Sequence, residues 1–349
     1  MKRYLILEDG TVFEGKAFGA DKTAVGELVF TTGMCGYIET LTDESYFGQI
    51  VLQTFPLIGN YGIIEEDFEG DCSVKAYAVQ EACDNPSNFR MQKTLDAFLK
   101  EKGIPGICGI DTRAVTKRIR EKGVMNAAMA DEIPDSLDFI KDYKIVKAVE
   151  SVTVKEPRVY NENGKYSVVL IDYGAKRNII RELVKRDCRV TLVPASASAE
   201  EILSLKPDGI MLSNGPGDPA ENVYEINEIK KLAGNVPIFG ICLGHQLLAL
   251  SLGARTEKLK YGHRGVNQPV KETDGKRTYI TSQNHGYAVV SDSIKSGKIS
   301  FINANDGTCE GIDYPEINAF SVQFHPEACS GPDDTAFLFD RFIGLMEEK

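Results

Sequence analysis

The sequence predicts an α/β protein with two domains: a strand-rich mixed first domain, and a second domain whose mostly parallel sheet is flanked by helices. The length of 349 residues is sufficient for two separate cores. In the first half, short apolar runs are separated by glycines, which is typical of short strands and tight turns. In the second half, continuous apolar runs alternate with helical patterns, which indicates parallel strands joined by right-handed crossovers.

The first domain, 1–163, begins with a predicted hairpin. Alternating apolar runs lie on both sides of Asp9 and Gly10, a pair that is typical of a tight turn between two strands. Two helical patterns follow, at 92–102 and 111–122. The segment 151–165 has few apolar residues and several turn formers, so we expect the linker between the domains there.

The second domain, 166–349, contains a regular series of strands and helices. Four continuous apolar runs are predicted strands, at 167–171, 189–193, 209–212 and 236–239. Helical patterns lie between them, at 175–186, 199–205 and 223–232. Because sheets of this kind bind ligands at the carboxyl ends of their strands, we expect the site in the loops that follow them.

Charge and cysteine usage limit the partners and the compartment. The formal net charge of −11 argues against non-specific binding to nucleic acid or to an anionic membrane surface. The sequence has no apolar run of about 18 residues, and its eight cysteines are scattered without a Cys-x-x-Cys pair. This scatter indicates neither a disulfide framework nor a zinc site, so we expect a cytoplasmic protein without a metal.

A candidate nucleophile follows the fourth predicted strand of the second domain. The segment 240–246 reads Gly-Ile-Cys-Leu-Gly-His-Gln, and its Gly-x-Cys-x-Gly core has the pattern of a nucleophile elbow. The turn from strand to helix is tight, so it needs the small residues Gly240 and Gly244 around Cys242. At the start of a helix, free N–H groups stabilise a thiolate, and the Leu243 N–H faces a developing oxyanion.

A thiolate nucleophile needs a base, and the base needs a group that orients it. His325 ends an alternating run and precedes a proline, so we expect it at a strand end or in a loop, where its side chain can reach a site. Glu327 is placed to fix the tautomer of this imidazole. The other three histidines have plainer interpretations: packing in a helix for His245, a turn for His285 and a loop for His263.

The loop 213–219 is rich in glycine and proline and follows the third predicted strand. Its glycines let backbone N–H groups approach a ligand closely, so the loop is a candidate for the second oxyanion donor. A simple turn remains the alternative. A phosphate-binding loop is disfavoured because the Lys-Ser/Thr pair of a Walker motif is missing.

Three motifs of the second domain together resemble the class I glutamine amidotransferases. They are Gly-Ile-Cys-Leu-Gly-His-Gln at 240–246, Asn-Gly-Pro-Gly-Asp-Pro at 214–219 and His-Pro-Glu at 325–327. In the first domain, four segments are similar to the amino-terminal domain of the carbamoyl phosphate synthetase small subunit, at 7–15, 33–37, 53–62 and 109–113. The resemblance spans nearly the whole chain, and the pair of domains is more specific than either one.

The resemblance implies a role for each matching residue. Cys242 attacks the side-chain amide of L-glutamine, and the N–H groups of Leu243 and Gly215 bind the oxyanion. His325, oriented by Glu327, protonates the departing ammonia and then activates water. The glutamine-binding positions are Ser45, Gly217, Gln246, Asn284, Gly286 and Tyr287. The sequence departs from the family pattern at Glu44, where proline is expected, and at Tyr287, where phenylalanine is expected.

The resemblance also implies a partner. The large synthetase subunit receives the ammonia and uses ATP and bicarbonate to make carbamoyl phosphate for arginine and pyrimidine synthesis. We expect ATP and Mg only in that subunit and no cofactor in this chain. The first domain is then a docking module, and the heterodimer is expected to be able to form higher oligomers.

Three other functions remain open at this point. A glutaminase for anthranilate or GMP synthesis is disfavoured by the distinctive first domain. A scaffold with an inactive amidotransferase fold is disfavoured because Cys242, His325 and Glu327 are all present. A cysteine hydrolase that acts on γ-glutamyl peptides would need no second chain.

Overall fold

The computed structural model describes residues 1–275 and 277–348, and the chain divides into two compact units, Met1–Val146 and Lys147–Lys349. Lys276 and the predicted end of the second domain at Lys349 lie outside the described residues. Among the described helices, none combines the length and the apolar character that crossing a membrane requires.

The first unit is built on a closed barrel of seven strands, in the order β1-β2-β8-β6-β4-β3-β9. The strands of the unit are β1 Lys2–Leu7, β2 Val12–Gly19, β3 Ala24–Thr31, β4 Gln49–Gln53, β5 Leu57–Ile58, β6 Ala76–Ala78, β7 Glu81–Ala82, β8 Pro105–Cys108 and β9 Met125–Ala130. The short strands β5 and β7 pair separately. The predicted hairpin is confirmed, because β1 and β2 pair antiparallel around Gly10, whose φ of 86° suits glycine.

The helices of the first unit are α1 Tyr37–Thr42, α2 Leu95–Lys102, α3 Thr112–Lys122 and α4 Asp138–Lys141. Both predicted helices are present as α2 and α3. Each begins where a side chain caps the free N–H groups of the first turn. Thr94 accepts from the Ala97 N–H, and Asp111 accepts from the Ala114 N–H. The cap at Thr94 explains why α2 begins three residues later than the pattern predicted.

The second unit contains one ten-stranded sheet, in the order β10-β12-β11-β13-β14-β19-β18-β17-β15-β16. Its strands are β10 Arg158–Tyr160, β11 Tyr166–Asp172, β12 Cys188–Pro194, β13 Gly209–Leu212, β14 Ile238–Ile241, β15 Thr256–Glu272, β16 Thr278–Val289, β17 Lys298–Asn303, β18 Cys309–Tyr314 and β19 Ala319–Val322. The four predicted strands form the centre of the sheet as β11 to β14. The neighbouring strands β12-β11-β13-β14-β19 all pair parallel.

Helices cover both faces of this sheet, as expected. They are α5 Ala148–Val152, α6 Arg177–Lys185, α7 Ala199–Ser204, α8 Val223–Leu232, α9 Leu243–Ser251 and α10 Phe337–Glu347. Helices α7, α8 and α9 pack apolar residues into one core, and α6 and α10 pack into a second core on the other face. The two cores place the sheet in the middle layer and leave the ends of its strands for a site.

The sheet continues beyond the parallel centre in a way that the sequence patterns did not predict. Strands β15 to β18 extend it past β19 through antiparallel pairs only. The long strands β15 and β16 form a hairpin with two register shifts between their paired segments. Their glycines and charged residues conceal the alternation that marks a regular strand.

The boundary between the units lies earlier than the predicted linker, which is a correction to the predicted division into 1–163 and 166–349. The segment 151–165 belongs to the second unit, because it contains β10, which pairs with β12 of that unit. Asp172, at the end of β11, also holds this segment: its carboxylate accepts from the Val154 N–H at 2.7 Å, and its carbonyl accepts from the Thr153 hydroxyl at 2.7 Å. Composition indicated a loop, but these bonds attach it to the sheet.

Candidate active site

Cys242 lies at the tip of a sharp turn between β14 and α9. Its backbone has a φ of 53° and a ψ of −103°, a region that non-glycine residues avoid. The turn is held from both sides, since the Cys242 N–H donates to the Val322 carbonyl and the Gly244 N–H donates to the Ser213 carbonyl. The strained cysteine therefore stands at the start of a helix, at the carboxyl end of a central strand, as the elbow pattern predicted.

The glycines around Cys242 are required by close backbone contacts. A Cβ atom on Gly244 would lie 2.4 Å from the Leu212 carbonyl oxygen, and one on Gly240 would lie 2.8 Å from the Gly244 carbonyl oxygen. Both distances are shorter than atoms can tolerate. The elbow therefore depends on the absence of side chains at these two positions.

We expect Gly244→Ala to lower the free energy of unfolding by about 1–3 kcal/mol, because the new methyl group forces β13 and α9 apart. The matched control is Gly344→Ala in α10, where a Cβ meets no atom within 4 Å. That change should stabilise the helix by about 0.5–1 kcal/mol. Chemical denaturation of both variants checks the prediction, and equal unfolding free energies would contradict it.

His325 and Glu327 form a buried pair in the loop that follows β19. The Nδ1 atom of His325 lies 2.6 Å from the Glu327 Oε1 atom, and both residues are 2% exposed. The His325 N–H donates to the Ser282 carbonyl at 2.9 Å, which ties the segment to β16. Strand β19 ends at Val322, and His325 forms an isolated bridge with Ser282 before Pro326. The histidine therefore lies in the loop after the strand, which is one of the two positions that the sequence predicted.

The charges of His325 and Glu327 stabilise each other. Burial alone lowers the pKa of His325, but the Glu327 charge and the neighbouring Cys242 thiol outweigh burial and raise that pKa above its ordinary value. Burial alone raises the pKa of Glu327, but Lys176 and His325 outweigh it and hold that pKa below its ordinary value. Glu327 is therefore a carboxylate that stabilises an imidazolium, which is what a proton relay beside a thiol requires.

The Cys242 thiol is the other neighbour of this pair. It donates to the Asn284 carbonyl at 3.6 Å. The His325 Nε2 atom is buried, and no described residue gives it a hydrogen bond of normal geometry. Contacts between a nucleophile and its base are commonly loose before substrate binds. The structure thus brings all three predicted catalytic side chains to one end of the sheet.

The loop after β13 lies beside the elbow. A Cβ atom on Gly215 would lie 2.2 Å from the Tyr173 carbonyl oxygen and 2.8 Å from the Leu243 Cδ2 atom. Gly217 has a φ of 89°, which favours glycine. The predicted oxyanion donors, Gly215 and Leu243, are therefore neighbours, and their roles as donors stay predictions.

Three of the predicted glutamine-binding residues, Asn284, Gly286 and Tyr287, lie on β16. Gln246 joins this strand to α9, because its side-chain amide donates to the Tyr287 carbonyl at 2.7 Å. The same amide donates to the Gln323 Oε1 atom at 2.9 Å. Tyr287 thus contributes its backbone at this point, so the departure from phenylalanine leaves the contact intact. Gln323 was missed by the sequence analysis, since it is one more residue in an alternating strand.

Ser45 belongs to the first unit. It lies on the short 3-10 helix Glu44–Tyr46, where its N–H donates to the Asp43 Oδ1 atom at 2.9 Å. Glu44 occupies the first position of that helix. The assignment of Ser45 to the glutamine site stays a prediction.

The three histidines outside the proposed triad are all buried. His245 bonds Ser321 at 2.8 Å, which agrees with the expected packing in a helix, and burial lowers its pKa to about 3. The expected turn at His285 and loop at His263 are wrong, because the two residues face each other across β16 and β15. The physical reason is that both rings form hydrogen bonds inside the sheet, at buried positions where a sequence pattern would predict apolar residues.

One group in the described part of the chain has the chemistry of metal ligands: His263, His285 and Glu310, whose ligand atoms lie within 4.8 Å of one another. Each already has hydrogen-bond partners. His263 lies 2.8 Å from Asp306 and 3.3 Å from Glu310, and His285 bonds the Tyr287 carbonyl at 2.8 Å. The group forms a polar network that joins β15, β16 and β18, and the expectation that the chain works without a metal stays a prediction.

Lys176 is a second residue that the sequence analysis missed. It is 5% exposed, and its Nζ atom lies 3.1 Å from the Glu327 Oε1 atom and 2.7 Å from the Ala328 carbonyl oxygen. The feature of the sequence that could have identified Lys176 is its position in the loop after the first central strand, β11. Residues there share the carboxyl edge of the sheet with the elbow.

Comparison with known proteins finds two family models that match this chain and a solved structure that is similar to part of it. The family model described as glutamine amidotransferase class-I matches residues 169–345, which contain the elbow, the loop after β13 and the His-Glu pair. The model described as carbamoyl-phosphate synthase small chain, CPSase domain, matches residues 5–129, within the first unit. A crystal structure of a glutamine amidotransferase from Thermotoga maritima covers 52% of this chain and 85% of its own, with a TM-score of 0.39 and 19% identity.

Curated relatives match both units at once. The carbamoyl phosphate synthase small chain of Oceanobacillus iheyensis is 52% identical and covers 99% of this chain and 96% of its own length. That of Listeria monocytogenes serotype 4b is 50% identical and covers 100% of this chain and 98% of its own. The second unit therefore defines a class I glutamine amidotransferase domain. The whole chain belongs to the carbamoyl phosphate synthase small chain family.

Proposed function

We propose that this chain is the glutamine-hydrolysing subunit of a carbamoyl phosphate synthase. One observation carries the proposal: a strained cysteine at a helix start lies beside a buried His-Glu pair, in a chain of this family. A thiol, a proton relay and a group that orients the relay are what thioester chemistry on an amide needs. The substrate is L-glutamine.

The first half of the reaction forms a thioester. The Cys242 thiol transfers its proton to the Nε2 atom of His325 as sulfur attacks the side-chain amide carbon of glutamine. The resulting oxyanion accepts hydrogen bonds from the Leu243 and Gly215 N–H groups. His325 then returns the proton to the amide nitrogen, the carbon–nitrogen bond breaks, and ammonia leaves.

The second half releases glutamate. His325 takes a proton from a water molecule, which attacks the thioester carbon and forms a second oxyanion at the same place. The carbon–sulfur bond then breaks, and the sulfur regains its proton from His325. Throughout both halves, Glu327 stays ionised and keeps the Nδ1 proton on its side of the ring.

The product ammonia requires a partner. In water at neutral pH ammonia is protonated and loses its nucleophilic lone pair. We therefore expect a large synthetase subunit to receive it and to make carbamoyl phosphate from ATP and bicarbonate. The first unit, whose barrel includes none of the three proposed catalytic residues, is the expected docking module. Pairing as a heterodimer, higher oligomers of it, and supply to arginine and pyrimidine synthesis are parts of the same proposal.

A reducing compartment fits the thiol chemistry. The cysteines at 35, 72, 83, 108, 188, 242 and 309 carry free thiols. Because such thiols persist where glutathione and thioredoxin keep them reduced, we propose a cytoplasmic location.

Glutamate release by the purified chain tests the proposed function. We expect slow hydrolysis of glutamine by the chain alone. A carbamoyl phosphate synthetase large subunit, ATP and bicarbonate should together stimulate it strongly. Activity that the complete mixture leaves unchanged would keep the thioester chemistry and contradict the partner. Absence of glutamate release in every mixture would contradict the enzyme assignment.

A further inference from the structure

Lys176 is a buried cation at the start of α6, beside the His-Glu pair. Lysine is almost never fully buried unless it is paired, since removal of an ammonium ion from water costs several kcal/mol. Here the ammonium lies 3.1 Å from the Glu327 carboxylate, whose own side chain is fully buried. The ion pair is therefore inside the protein, and it shares Glu327 with the His-Glu pair.

The same residue joins two separate parts of the site. Its backbone N–H donates to the Asn214 Oδ1 atom at 3.0 Å, in the loop that carries Gly215. Its ammonium donates to the Ala328 carbonyl at 2.7 Å, directly after the His-Glu segment. Asn178, two residues further on, donates from its side chain to the Glu327 carbonyl. The start of α6 therefore makes hydrogen bonds both to the loop after β13 and to the segment that carries His325 and Glu327.

The charges of the site balance only when Lys176 is counted. Before proton transfer, Glu327 is negative and Lys176 is positive. After transfer, the thiolate and the imidazolium add one charge of each sign. The buried site is then neutral in both states. Without Lys176, the single carboxylate would bind the imidazolium proton more tightly, and His325 would release that proton to the leaving nitrogen less readily.

We propose that Lys176 is a positioning residue that acts on the reaction through Glu327. It fixes the carboxylate that orients His325, and it supplies the positive charge that keeps the closed site neutral. This inference rests on the proposed glutaminase function. It assigns to Lys176 no contact with glutamine or with the reacting atoms.

The test compares Lys176→Gln with Lys176→Arg in glutamate release by the complex with the large subunit, measured as a pH profile of kcat/KM. A nearby positive charge lowers the pKa of the His325 imidazole, so the loss of Lys176 raises that pKa. His325 must be neutral to accept the thiol proton, so we expect the acid limb of the Lys176→Gln profile to move to higher pH by about one unit or more. Below the acid limb, the rate at fixed pH then falls about tenfold. Lys176→Arg keeps the charge and should leave the acid limb near its wild-type position.

A double variant separates this role from a purely structural one. In Lys176→Met with Glu327→Gln, neither buried charge remains, so the fold carries no unpaired ion. If Lys176 acts through Glu327, this double variant is at least as active as Glu327→Gln alone. An acid limb that does not move in Lys176→Gln, or losses that simply multiply in the double variant, would overturn the proposal.

Two reference samples keep this outcome distinct from the fate of the proposed function. Wild-type complex must release glutamate, and Cys242→Ser must not. If these references behave as expected and Lys176→Gln does not shift the acid limb, only the role of Lys176 fails. If the references themselves fail, the glutaminase function fails first. Thermal unfolding of each variant identifies any that do not fold. If Lys176→Gln does not fold, the comparison of Glu327→Gln with the double variant tests the proposal.

Discussion

Replacement of Cys242 by serine is expected to lower glutamine hydrolysis by about 10⁴-fold or more, since loss of the nucleophile removes the thioester route. The hydroxyl of serine is not ionised at neutral pH and is a weaker nucleophile than a thiol. The fold should survive, because serine can donate to the Asn284 carbonyl as the thiol does. Glutamate release measures the loss, and binding to the large subunit should stay unchanged.

The matched control for Cys242→Ser is Cys83→Ser, in the first unit. Cys83 carries a free thiol and is half-buried. It lies in the unit that contains none of the three proposed catalytic residues. We expect its loss to change glutamate release by less than about twofold, in line with surface substitutions away from structural features. Cys242→Ser with activity near that of Cys83→Ser would contradict the proposed nucleophile.

His325→Asn is the second change with a large expected effect. General acid–base catalysis contributes up to about 10⁴-fold, and here one imidazole serves four proton transfers, so we expect a fall of about 10³-fold or more in kcat/KM. Asparagine keeps a donor that can reach Glu327, so the carboxylate does not lose every partner. Single-turnover glutamate release measures the effect without interference from product dissociation.

His245→Asn is the control for that variant. His245 is buried on α9, the helix that follows the nucleophile, and it bonds Ser321 at 2.8 Å. An asparagine amide can keep a bond to that hydroxyl. We therefore expect a loss of less than about tenfold, which leaves a gap of two orders of magnitude between the two variants. Similar losses in both would show that His325 acts through packing rather than proton transfer.

The elbow and the His-Glu segment were predictable because their signals are local. Gly240 and Gly244 flank Cys242 within five residues, and a continuous apolar strand precedes them. The close contacts of both glycines with neighbouring backbone give the physical reason for that spacing. The signal at His325 is equally local, since Pro326 cannot continue a strand ladder and the histidine lies in the loop after β19.

The antiparallel part of the second sheet was not predictable from local patterns. Strands β15 and β16 bury His263, Arg264, Gln283 and His285, all of them polar. A period-two pattern cannot distinguish such residues from solvent-facing ones, because their burial depends on hydrogen-bond partners on other strands. Glu310, which pairs with His263 in this network, lies on β18, far away in sequence.

The linker and Lys176 were missed for a related reason. Few apolar residues at 151–165 indicated a loop, and Lys176 lies in the helical pattern 175–186, where nothing marked it as a site residue. Both are fixed by single buried carboxylates from elsewhere in the chain, Asp172 for the segment and Glu327 for the lysine. A composition argument has no access to such pairs, because only the folded sheet brings them together.

The central claim, that Cys242 carries the substrate as a thioester, can be tested by trapping. Isotope-labelled glutamine is mixed with the complex, quenched in acid during turnover and digested, and the labelled peptide is identified by mass spectrometry. We predict label on the peptide that contains Cys242, released by hydroxylamine and absent in Cys242→Ser. Label on a peptide with another cysteine, or label that persists in Cys242→Ser, would contradict the account.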